Sequence, residues 1–169
     1  YTEGYKNTSS TKKGGSKSHF FSKFVKNFYW DQDNESNLEI NFRNVSDKKY
    51  LKLYKIESSL LDNFETNTLE NNINFNHYDN KNDLHLDLRA SIYRDLRNDY
   101  NDKYEYILPE INIDKNLYSE NFGYGNINTN LKIHNYDTNK FENYLINDFN
   151  WVFDKTFGDL NYDGKFIFD

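Results

Sequence analysis

The stretch Leu84-His85-Leu86-Asp87-Leu88-Arg89-Ala90-Ser91-Ile92-Tyr93 decides how this chain is read. Successive side chains on a β-strand point to opposite faces. Leu84, Leu86, Leu88, Ala90 and Ile92 therefore share one face, and His85, Asp87, Arg89, Ser91 and Tyr93 share the other. One face is dry and the other wet. About ten residues of strict alternation is what a tilted strand needs to cross a bilayer, whereas strands of water-soluble proteins usually run about five or six. Two architectures share this pattern: a soluble antiparallel sheet and a piece of a membrane barrel.

Composition bears on the choice. The 169 residues are 18% aromatic, nearly all Tyr and Phe, yet only 36% hydrophobic, with Asn the commonest residue and a mean hydropathy of −1.02. A soluble domain of this size buries about two thirds of its unfolded surface, mostly with aliphatic side chains. Low hydrophobicity favours disorder, but the rings and the regular alternation oppose it. A barrel fits: one side of each strand is apolar, the lumen is polar, and aromatics gather at the two interfaces.

The absence of cysteine excludes disulfides and thiolate metal sites. A net charge of −6 leaves no electrostatic footprint for nucleic acid. No run approaches ~18 apolar residues, so no transmembrane helix is expected, and no signal peptide is visible. The chain reads as a single segment, 1–169, of a barrel domain incomplete at both ends, with its leader upstream.

The rest of the chain supplies further alternating stretches. Residues 1–16 read as a strand end and a turn. From Ser18 to Trp30, Phe20, Phe24, Phe28 and Trp30 share one parity; a strand fits, and so does an amphipathic helix with Phe21, Phe24, Val25 and Phe28 on one side. Asp31 to Asn37 reads as a turn, Leu38, Ile40 and Phe42 as a dry face, and residues 46–66 as a long loop. Leu69, Ile73 and Phe75 mark the next strand, Asp79 to Asp83 a turn, and Arg94 to Asp102 a loop. Ile107, Pro109, Ile111 and Ile113 share one parity, although Pro109 deletes a ladder donor. Asn116 to Gly125 reads as a turn, followed by Ile127, Thr129, Leu131 and Ile133, a turn at Tyr136 to Lys140, and a dry face of Phe141, Leu145, Phe149, Trp151 and Phe153. After a turn at Asp154 to Gly158 the chain ends in Leu160 to Phe168. The expectation is an all-β antiparallel meander of about eight strands, part of a large transmembrane barrel and an open curved sheet on its own.

Few residues suggest chemistry. Asp159 to Gly164 matches the first half of a calcium loop, but the expected Glu at the twelfth position lies past Asp169; a hairpin turn at Asp163-Gly164 explains the same residues. His19, His77, His85 and His134 lie on different elements without ligand spacing. No phosphate loop, nucleophile elbow or acid–base pair stands out, so neither enzyme activity, metal nor cofactor is expected. The candidate site is the wet face: His85, Asp87, Arg89, Ser91 and Tyr93, with Glu142, Tyr144 and Asp148, facing a lumen, while Leu84, Leu86, Leu88, Ala90 and Ile92 face lipid.

Ser16 to Phe24, Asn44 to Ser58, Asp102 to Pro109, Asn135 to Asn139 and Leu145 to Asp148, in that order and spacing, resemble the barrel domain of the LPS-assembly proteins of Gram-negative outer membranes, the LptD family, and above all its Asn- and Lys-rich alphaproteobacterial members. The likeness covers about Ser16 to Phe153, and the family has a proline in the strand of Pro109. It implies middle strands of a very large outer-membrane barrel that passes lipopolysaccharide (LPS) to the cell surface. The partners it implies are LPS, a plug lipoprotein of the LptE kind and a periplasmic LPS bridge. The family's jelly-roll domain, exit seam and interdomain cysteines have no counterpart here. Two alternatives stay open: another outer-membrane barrel, porin-like or small and eight-stranded, and a soluble β-rich binding or surface protein built as a sandwich.

Overall fold

Alternation of apolar and polar residues, punctuated by Asp- and Asn-bearing turns, builds one antiparallel meander. The computed structural model describes residues 2–3, 8–9, 16–97, 105–138, 140–157 and 160–168. Three two-residue pieces come first, β1 (Thr2–Glu3), β2 (Thr8–Ser9) and β3 (Ser16–Lys17). The body consists of β4 (His19–Tyr29), β5 (Asn34–Val45), β6 (Thr68–Asp79), β7 (Leu84–Asp95), β8 (Glu105–Ser119), β9 (Gly123–Asn135) and β10 (Phe141–Phe157). β11 (Leu160–Phe168) extends one edge and β1 pairs at the other, in the order β1-β4-β5-β6-β7-β8-β9-β10-β11. The chain is thus all-β, with one helical turn, α1 (Tyr50–Tyr54). The seven body strands are 11 to 17 residues long, beyond the length usual in soluble sheets.

Register places every side chain of these strands on one of two faces. On one, Leu38, Phe75, Leu88, Ile111, Leu131 and Leu145 pair in a continuous apolar row across six strands. Each such cross-strand pair stabilises the sheet by about 0.2–1 kcal/mol. A second row pairs Phe24, Ile40, Ile73 and Ala90. The other face carries Asn, Asp, Glu, Arg, Lys and Tyr.

The two ends differ. Residues 30–33, 80–83 and 120–122 make short turns at one end. Asp31 Oδ1 accepts from the backbone N–H groups of Asp33 and Asn34, 2.8 Å each, and Asp79 Oδ1 accepts from that of Asn82 at 3.1 Å; both are side-chain mimics of a backbone turn. The Asn34 amide and those backbone donors hold the Asp31 carboxyl below its usual range. At the opposite end the connections are longer, 46–67 and 96–104 against 136–140. The 46–67 connection folds back onto the sheet. Tyr50 and Leu51 of α1, fully buried, pack with Phe21, Val45, Leu69 and Leu96, and the Tyr50 hydroxyl lies 3.3 Å from His19 Nδ1. Burial pushes the Tyr50 phenol up. The loop expected at 46–66 is therefore anchored by the main buried apolar cluster.

Several sequence expectations are corrected. β5 starts at Asn34 and β8 runs on to Ser119, so the turns expected at Asp31 to Asn37 and Asn116 to Gly125 shrink to short connections. β7 extends through Asp95, into the expected loop. Ile107 does not share a face with Ile111 and Ile113: two residues, Leu108 and Pro109, stand opposite Ile133, and the register shifts there on both sides of β8. This β-bulge reverses parity. It turns Glu105 and Ile107 to the polar face, paired with Tyr93 and Ser91. Strand β10 continues to Phe157. β11 passes straight through Asp163-Gly164, paired with Asp154 and Phe153, so neither a hairpin turn nor a calcium loop forms there; Asp159 lies outside the described residues. Most of 1–16 lies outside them as well. Ser18 to Trp30 is strand, not helix.

Truncating Leu51 removes the side chain that ties α1 to the sheet. Leu51→Ala is expected to cost about 2–5 kcal/mol in the local stability of this cap. Hydrogen exchange should quicken at residues 50–61 and leave the Leu88 row protected.

Candidate functional site

The polar face is organised around Arg89. Arg89 Nη2 donates to Glu70 Oε1 at 2.8 Å, and the same oxygen accepts from Ser91 Oγ at 2.9 Å and the Tyr93 hydroxyl at 3.4 Å. Arg89 also reaches Ser91 Oγ, 3.1 Å from Nε. On its other side Glu110 lies 3.9 Å from Arg89 and 3.5 Å from Lys132. Glu70, Arg89, Glu110 and Lys132 thus alternate in sign across β6 to β9. Beyond β6, Lys23 meets Glu39 at 2.8 Å, Glu39 accepts from Asn41 at 2.6 Å and Asn41 donates to Asn72 at 2.9 Å. Toward β9, Asp114 accepts from Asn126 and Asn128 at 3.2 Å each, and Asn130 donates to Asn112. Asn74, Asn76, Asp87, Arg89, Glu110 and Asn112 border a shallow concavity beside the Arg89 network.

All eight expected polar-face residues fall on this one face, as do the five expected apolar residues on the opposite one. The structure gathers Arg89, Ser91 and Tyr93 into one network. His85 stacks on Tyr78, ring centroids 4.2 Å apart, and its Nε2 lies 3.0 Å from Asp87. Glu142 belongs to a separate group, accepting from the Tyr136 hydroxyl at 2.9 Å and pairing with Lys140. Nearby, His134 lies on Tyr136 and 3.1 Å from Glu105. Tyr144 and Asp148 are in register with Lys132 and Asn128 without hydrogen-bonding into the Arg89 network. Glu70, Glu110, Lys132 and the row Asn72, Asn74, Asn76 were not singled out from sequence. The β6 members could have been, because they alternate with Leu69, Ile73 and Phe75, and so could Glu110, which alternates with Ile111 and Ile113; Glu105 could not, because the bulge reverses its parity.

Exposure is inverted between the faces. On the polar side Ser91 is 1% exposed and Asn41 7%, while on the apolar side Ile73, Ile92 and Leu145 are 50%, 49% and 60% exposed. Long polar side chains cover short ones, and among the described residues no second layer covers the leucine row. Phe20, Phe24, Phe42, Leu108 and Phe141 are exposed on that same side. A continuous apolar surface of this kind marks contact with lipid or another apolar partner. At the short-turn end, Tyr29, Trp30, Tyr118, Phe122 and Tyr124 are exposed, and the Trp151 indole donates to the Phe122 carbonyl at 2.8 Å. Gly125 provides the space for that ring: a Cβ there would stand 2.4 Å from it.

Among the described residues no three His, Asp or Glu side chains converge as a metal site, and no helix is long and apolar enough to cross a membrane. The arrangement offers a hydrogen-bonding surface on one side, in which carboxylates outnumber cations, and an uncovered apolar surface on the other. Comparison with protein-family models, curated proteins and solved structures finds no match.

Arg89 holds the polar face together. Arg89→Gln leaves Glu70 and Glu110, both mostly buried side chains, without their shared cation. The expected loss is about 1–3 kcal/mol, read by urea unfolding. Glu70→Gln in the same background should restore part of it, as a double-mutant cycle requires of directly coupled groups.

Proposed function

We propose that this chain is wall of an outer-membrane β-barrel, with the leucine row toward lipid and the Arg89 network toward a hydrated lumen. The observation that carries the reading is the inverted exposure: large apolar side chains half exposed on one face, Ser91 and Asn41 buried on the other. Strand length supports it, since 11 to 17 residues meet the ~9–11 that a tilted membrane strand needs. So does the contrast between the two ends, because outer-membrane barrels join their strands by short turns on the periplasmic side and longer loops outside. On the apolar face toward the short-turn end, Trp30 stacked on Phe28 and Trp151 on Phe149 suit an interfacial girdle. A soluble sandwich needs a second sheet over the leucine row, and a closed eight-strand barrel needs its first and last strands paired; neither is found among the described residues.

Within that class, the resemblance of Ser16 to Phe153 to LPS-assembly proteins supports the finer reading of an LPS translocon segment in the cell outer membrane. In it the sugar headgroup of LPS passes along the polar face while the acyl chains remain in the apolar phase. No covalent step is involved at this face. A plug lipoprotein of the LptE kind and a periplasmic LPS bridge are the implied partners.

Two measurements separate these levels. For the barrel, Ile73→Arg in the full-length protein folded into liposomes should cost about 2–4 kcal/mol; Asn76→Arg on the polar face should stay within about 0.5 kcal/mol, the range for surface changes in water. Equal, small effects would remove lipid from the apolar face. For the cargo, a photoreactive phenylalanine analogue at Asn112 in cells should cross-link to LPS and the same analogue at Leu88 to phospholipid. LPS adducts absent from every polar-face position would retire the translocon reading and leave the barrel standing.

A further inference from the structure

At the short-turn end of the polar face, three strands assemble a second concavity, lined by Asn27 and Tyr29 of β4, Glu35, Ser36 and Asn37 of β5, and Tyr78 of β6. The register fixes the grouping: Tyr29 pairs with Glu35 and Asn27 with Asn37, while Glu35 pairs with Tyr78 and Asn37 with Asn76. The five side chains of Asn27, Tyr29, Glu35, Asn37 and Tyr78 therefore rise from one face. Tyr29 is 74% exposed and Tyr78 39%, and Tyr78 is held by its stack on His85, with 12° between the rings. Ser36 anchors the floor from beneath, accepting from Trp30 Nε1 at 3.0 Å and lying 2.8 Å from His77 Nδ1.

The polar groups at the rim are partly spent and partly free. Asn37 Nδ2 donates to Asn27 Oδ1 at 2.5 Å, which leaves the Asn27 amide nitrogen as a donor and the Asn37 carbonyl oxygen as an acceptor. The Glu35 carboxylate has no hydrogen-bond partner among the described residues, and neither do the Tyr29 and Tyr78 hydroxyls. No Lys or Arg lines the concavity. The unbalanced Glu35 charge disfavours an anionic ligand, and one carboxylate is too few for a cation. The open, polar rim does not suit an apolar molecule. What matches is a ligand with one flat apolar C–H face to lie on a tyrosine ring and adjacent hydroxyls that both donate and accept.

We propose that this concavity is a binding site for a neutral saccharide, one pyranose ring lying on Tyr29 against Tyr78, its hydroxyls shared between Glu35, Asn27 and Asn37. The site needs only the β4-β5-β6 register, and holds whatever covers the apolar face.

The test uses the full-length protein in a polyoxyethylene detergent, since glycoside detergents would occupy the site. Saturation-transfer NMR is run with maltopentaose, cellopentaose and chitopentaose as neutral probes and a pentameric uronate as the charged one. Saturation should reach at least one neutral probe and not the uronate. Tyr29→Ala should weaken that binding about tenfold or more, a loss of about 1.4 kcal/mol, whereas Tyr29→Phe retains the ring and most of the affinity. Glu35→Gln should weaken the neutral probe and admit the uronate. Far-UV circular dichroism of each variant checks that the sheet is intact. No binding by any neutral probe, tighter binding of the uronate, or Tyr29→Ala binding like the parent would each overturn the site.

Discussion

The row Leu38, Phe75, Leu88, Ile111, Leu131 and Leu145 crosses six strands in register, and the rest of the structure follows from it. A period of two ties the two faces together, so that a slip of one residue would put Arg89 and Glu110 among the leucines. The row therefore sets which polar groups meet on the other side. It also creates the requirement that the molecule has to satisfy elsewhere, because an apolar surface that no part of the described chain covers needs an apolar surrounding.

Polar pairing on the opposite face answers a different demand. Arg89, Glu70, Ser91 and Tyr93 satisfy one another, and Asn41, Asn72, Asn112 and Asn130 bridge neighbouring strands. Such pairing holds the polar side chains in place from strand to strand. The fully buried apolar cluster of Tyr50, Leu51 and Phe21 is confined to the long-loop end, where the 46–67 connection folds down. Core-like packing thus secures a loop, while the sheet is held by cross-strand pairs.

Much of this was legible in the chain. Leu84 to Tyr93 announced its two faces, and the all-β meander followed from its neighbours. Strand ends were misplaced for a physical reason: Asn, Asp and Ser populate both turns and the wet face, so Asn34 to Asn37 and Asn116 to Ser119 looked like turns while belonging to strands. Pro109 marked an edge or a bulge, but the parity reversal there could not be read, because it depends on the partners, Ala90 and Ile133. The pairing of Arg89 with Glu70, and of Tyr29 with Tyr78 across Glu35, was equally out of reach, since both depend on register between strands distant in sequence.

In the proposed barrel the leucine face meets lipid and the Arg89 face meets water. Nitroxide labels placed singly at positions 84 to 93 of the full-length protein in liposomes test it most directly. Collision with oxygen should peak at 84, 86, 88, 90 and 92, and collision with a water-soluble nickel chelate at 85, 87, 89, 91 and 93, the two out of phase. Labels at the even positions shielded from both reagents would mean that protein covers this face, and the account would be wrong.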